Sequence, residues 1–149
     1  MAYRKERCVC FLTMPYLIGV LLAVVVPAFC WAVGFLSSAE RERVFWSMIL
    51  IVVAHYYILF GAIGMTMPGG SHEPLIYELI ASCVFIAAAA LGFRTQLWIV
   101  ALALAGHGVF DFFHARVIAD PGVPVWWPAF CMSFDVAAGV LMMVRLWTR

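Results

Sequence analysis

The chain has 149 residues, 66% of them hydrophobic and 11% charged, with a formal net charge of +1 and a mean hydropathy of +1.04. A soluble domain is about half apolar and about a quarter charged, and no soluble fold of this size has an interior large enough to hide so much apolar side chain. The composition excludes a soluble globular domain, the near-neutral charge gives no electrostatic case for nucleic acid, and the expectation is an all-α, polytopic transmembrane bundle forming one domain.

A helix needs about 20 apolar residues to cross a hydrocarbon core of ~30 Å, and five stretches qualify: 11–36, 44–67, 74–93, 95–115 and 126–147. The first follows Arg4, Lys5 and Arg7, the pattern of a signal peptide, but its apolar run is too long for a signal core. It reads as an uncleaved span bent at Pro27, where an interior proline loses a hydrogen bond. Ser37, Ser38 and the charged run Glu40–Arg43 separate it from the second span. Pro68-Gly69-Gly70-Ser71, Arg94, and Asp120-Pro121-Gly122-Val123-Pro124 mark the remaining breaks. With five alternating spans, Trp31, Trp46, Trp98 and Trp147 fall near one membrane face and Trp126 and Trp127 near the other, as interfacial tryptophans should. Basic residues are divided almost evenly between the two sides, so the positive-inside rule gives no strong orientation; the N-terminal cluster favours an inside N-terminus.

Five cysteines are present. Cys30, Cys83 and Cys131 lie in apolar runs, where a small buried hydrophobe is the plain reading. Cys8-x-Cys10, just before the first span, suits a metal or a lipid but has no partner motif. No disulfide framework is implied.

Ionisable side chains inside a membrane are costly and usually functional. Here they are His55 in the second span, Glu78 in the third, His107, Asp111 and His114 in the fourth, and Asp135 in the fifth. His107, Asp111 and His114 follow an i, i+4, i+7 spacing, which confines them to about 60° of one helix face. Neutral imidazole and carboxylate are ligands of Zn²⁺ and non-haem iron. Topology places His114 at the membrane side where the third and fifth spans begin, with His107 roughly 10 Å deeper, Asp135 roughly 13 Å deep and His55 roughly 18 Å deep. Glu78 lies in the first turns of its span on that side. The intramembrane histidines and acids thus converge in one half of the bilayer and the opposite half carries none. That is the pattern of one mostly apolar pocket with a few converging polar groups. Cys131 shares a face with Asp135 at i, i+4 and is, with His55, a possible additional member. The bland alternative is hydrogen-bonded helix packing, which polar side chains also provide; the spacing of Gly61 and Gly64 and the run Ala87–Ala90 read simply as close packing.

The Tyr77-Glu78-Leu79 segment, the run from Gly106 to His114, Val123-Pro124, and Cys131-Met132-Ser133-Phe134-Asp135 resemble families of small bacterial integral membrane proteins. Those families carry an aromatic-Glu pair, an H-x-x-W-D-x-x-H-H segment and a C-x-x-x-D segment. The resemblance covers about the C-terminal half. Phe110 precedes the aspartate here, and Ala115 stands where a further histidine is common. The resemblance implies that these residues form one unit and that the chain belongs in a bacterial inner membrane, and it implies no particular activity.

The expected function is a metal-dependent membrane enzyme acting on a lipidic or isoprenoid substrate, in contact with membrane lipid. His107, His114 and Asp111 are the expected ligands of a divalent zinc or iron, and Glu78, Asp111 and Asp135 the expected catalytic carboxylates. Two alternatives stand beside it. One is a metal-independent acid/base cyclase or isomerase of isoprenoids using the same carboxylates. The other is a pigment- or haem-binding or accessory subunit without catalysis.

Overall fold

The computed structural model describes residues 2–149, with side chains from Thr13 onward. The basic cluster Arg4–Arg7 and Cys8-x-Cys10 therefore lie outside the described side chains. The chain forms five helices: α1 (Ala2–Ala32), α2 (Ala39–Gly64), α3 (Glu73–Arg94), α4 (Leu97–Val117) and α5 (Trp127–Trp147). All five are long and apolar enough to cross a membrane, α1 through its segment Thr13–Ala32. The protein is an all-α, multi-pass membrane bundle.

The helix ends follow local chemistry. α1 runs on through Pro15 and Pro27 as one helix. It ends short of the expected Leu36 because Gly34 turns the chain at φ 74°, a backbone region open to glycine at little cost, and Leu36 N–H returns to the Cys30 carbonyl. α2 starts earlier than hydropathy suggests. The Ser38 hydroxyl caps it by accepting from Arg41 N–H at 3.2 Å, and Glu40 and Glu42 sit in the first turn, where negative charge suits the helix dipole. Charged residues read as a break are thus the first turn of a helix.

The helices pack in the order α1–α5–α4–α3–α2, with α2 also against α4. α4 is the central helix. Glycines set its spacing to α5: a Cβ on Gly108 would stand 2.9 Å from the Met132 carbonyl oxygen, and one on Gly139 2.9 Å from that of Ala101. Small residues allow this close approach where lipid supplies no hydrophobic drive between helices. Leu17, Phe29, Val84, Leu102 and Val117 point outward, as lipid-facing side chains should.

The two halves of the interior differ. Trp46, Leu50, Val100, Leu104, Ala138 and Met142 form an apolar core in the half nearer the α3–α4 turn. The opposite half holds buried Glu78, His107, Asp111, His114 and Asp135. One correction applies to the dry half. Glu42 is buried at its outer edge, where it accepts from Trp31 Nε1 at 3.3 Å and from Arg145 at 3.3 Å and pairs with Arg149. The far end is therefore closed by a carboxylate clamp joining α1, α2 and α5.

Candidate metal centre

On α4, His107, Asp111 and His114 share the buried face that the spacing required, each about 1% exposed. Neighbouring helices add one polar side chain each: Glu78 from α3, Asp135 from α5 and Tyr57 from α2. The result is two centres, one above the other along α4, and not a single site.

The deeper centre is His107, Asp111 and Asp135. His107 Nδ1 lies 2.7 Å from Asp135 Oδ2 and 3.4 Å from Asp111 Oδ2. One ligand atom from each of the three falls within 4.8 Å of the others. Ligands about 2.0–2.1 Å from a tetrahedral zinc stand roughly 3.4 Å apart, so a small outward movement of these side chains would admit an ion. Neither Asp111 oxygen, nor Asp135 Oδ1, receives a well-formed hydrogen bond. Buried oxygens of this kind are ordinarily satisfied. Two carboxylates at this spacing repel by about 3 kcal/mol at an effective dielectric near 20. A divalent cation reverses the sign of that term, and with a neutral imidazole it brings the group to zero net charge.

The shallower centre is His114 and Glu78, with Nε2 to Oε1 at 2.5 Å. It departs from the expectation that His114 and His107 share one ion. In the structure His107 turns to Asp135 and His114 to Glu78, and the donors clustered within 4.8 Å are those of His107, Asp111 and Asp135. The i, i+4 pair His107 and Asp111 can reach a common ion.

Aromatic rings wall both centres. Tyr57 stacks on His114 with centroids 4.2 Å apart, and its hydroxyl interacts with Asp111. Phe85 meets His107 edge-on at 4.6 Å. Ser82, one turn beyond Glu78, is buried with an unpartnered hydroxyl.

The other candidates separate. His55 is exposed, and its Nδ1 contacts the Ile51 carbonyl at 2.7 Å, so the structure does not bring it to either centre. Cys131 is buried and close enough to Asp111 and Asp135 to feel their charge, without being one of the three clustered donors. It also lines an apolar groove of about 830 Å³ formed by α1, α2 and α5, whose other walls include Ile18, Val53, Tyr56, Trp126 and Phe134.

Sequence reasoning did not single out Tyr57 or Ser82. A signal for each exists. Tyr57 lies four residues before Gly61 and seven before Gly64, on the buried stripe of α2, whereas His55 lies off that stripe. Ser82 follows Glu78 at i+4. No family model, curated protein or solved structure matches this chain.

Proposed function

We propose that the protein is a membrane-embedded enzyme in which His107, Asp111 and Asp135 hold one divalent cation, zinc or iron, and act on a lipophilic substrate. The observation that carries this reading is the buried donor group itself: one imidazole nitrogen and two carboxylates within 4.8 Å of one another, with oxygens that lack a well-formed hydrogen bond. One nitrogen and two oxygen donors suit either metal. A bound cation would polarise a substrate oxygen or lower the pKa of a bound water. Hydrolysis would accompany zinc, and oxidation would accompany iron. The apolar groove that Cys131 helps to line supports a lipidic or isoprenoid substrate, since Cys131 is also close enough to Asp111 and Asp135 to feel their charge. The localisation that goes with this reading is a bacterial inner membrane.

Elemental analysis of protein purified in lipid nanodiscs tests the reading. About one zinc or iron per chain is expected, falling below about a tenth in His107→Ala and Asp135→Asn, since a site with a missing ligand loses its ion. Mass spectrometry of membrane lipids incubated with the protein should show a converted species that is absent with His107→Ala. Wild-type protein that takes up no divalent metal would overturn the metal assignment.

The short contacts from His107 to Asp135 and from His114 to Glu78 favour one second reading. They are complete carboxylate–imidazole pairs, which could move protons on an isoprenoid without a metal. Lipid conversion that survives a chelator and is lost in Asp135→Asn would select it.

A further inference from the structure

The deeper donor group is sealed, with His107 and Asp111 about 1% exposed and Asp135 at 0%. A cation must nevertheless reach it. The groove at Cys131 is walled almost entirely by apolar side chains, and an ion taken through such surroundings without partners pays a heavy desolvation cost. A second cleft, of about 480 Å³, opens at the α4–α5 connection, with His114 and Asp120 in its wall. From there polar groups continue inward. His114 holds Glu78, whose other oxygen Oε2 is buried and unpartnered, as is the Ser82 hydroxyl. Tyr57 lies against His114 and reaches toward Asp111. The trail ends at His107 and Asp135.

We propose that His114 and Glu78 form a transient cation-binding station through which the metal ion passes from this cleft to the His107–Asp111–Asp135 group. The inference rests on the metal reading above. Its direction follows from donor count and charge. The station offers one imidazole and one carboxylate joined through Oε1, with only Oε2 free, so an ion held by both residues must displace that contact. The inner group offers a further carboxylate, oxygens that lack a well-formed hydrogen bond and a like-charge repulsion that the ion relieves. Zinc sites that retain their ion have three or four protein ligands, so the two-donor station passes the ion on and the inner group keeps it.

The test is the rate of Co²⁺ uptake by metal-free protein in nanodiscs, followed by the visible absorption of the bound ion, with final stoichiometry measured separately. His114→Phe, which keeps a ring against Tyr57, and Glu78→Gln should each slow uptake at least about tenfold, the size of effect seen on removing groups beside a metal, with final stoichiometry unchanged. Ala119→Trp, placed in the wall of the cleft that His114 also lines, should also slow uptake. Ile18→Trp in the apolar groove should not. Unchanged uptake in the His114, Glu78 and Ala119 variants would overturn the station. So would a lost equivalent of bound Co²⁺ in His114→Phe, which would make His114 a permanent ligand, or slowing by Ile18→Trp alone, which would place the route in the groove. Wild-type protein that binds no Co²⁺ would remove the metal reading and the station with it, an outcome distinct from these.

Discussion

At the scale of single residues, the two aspartates oppose each other in a way that makes a signed prediction. Asp111 has a 3.4 Å contact to His107 and the interaction with the Tyr57 hydroxyl, whereas Asp135 has the 2.7 Å contact to His107. In metal-free protein, Asp111→Asn removes a like charge and keeps a side-chain oxygen for the Tyr57 hydroxyl, so it should raise thermal stability by about 1–3 kcal/mol. With metal present it should lower stability, because the cation loses a ligand. Thermal unfolding in nanodiscs with and without added zinc reads both signs. Asp135→Ala strands the buried His107 and should cost about 3–5 kcal/mol in either condition. The residue types and depths of these groups were legible in the sequence. Their partnerships were not. The i, i+7 pair shares one face, and only the arrival of α3 and α5 decides which carboxylate each imidazole meets.

At the scale of helices, the register of α5 against α4 sets the His107–Asp111–Asp135 donor group, and Gly108 sets that register. The residue next to His107 has no side chain, so the α5 backbone at Met132 and Val136 comes close and Asp135 reaches across. Gly108→Ala should therefore weaken metal binding and cost about 1–3 kcal/mol through overpacking. Gly106 provides the control, since a Cβ there meets nothing within 4 Å. Gly106→Ala should be neutral or gain up to ~1 kcal/mol of helix propensity. Equal loss of stability in both variants, measured by unfolding, would argue against close packing as the reason for Gly108. The five helices themselves could be read from apolar run length, because a membrane span is defined by composition over about 20 residues. The ends could be read less well. Ser38 and the acidic first turn of α2 form a capped helix start, which hydropathy counts as a break. The glycine pairings depend on which helices meet, which one chain's pattern does not state.

At the scale of the whole molecule, the bundle is held differently at its two ends. Near the α3–α4 turn, Glu42 gathers Trp31 from α1 and Arg145 from α5, and Arg145 also lies over the Trp31 ring. Glu42→Gln should loosen this end and lower stability by about 1–3 kcal/mol, because it is the buried partner that is altered, while leaving metal content unchanged. A joint measurement of unfolding and metal content checks the separation of the two ends. Toward the other end α1 leans on α5 and is parted from α2 by the groove that reaches Cys131. The ring of helices therefore has a seam, pinned at one end and unfastened at the other. A seam of that form would open sideways. A hydrocarbon molecule already dissolved in the bilayer could slip in between α1 and α2 and leave the same way without surfacing through the headgroups.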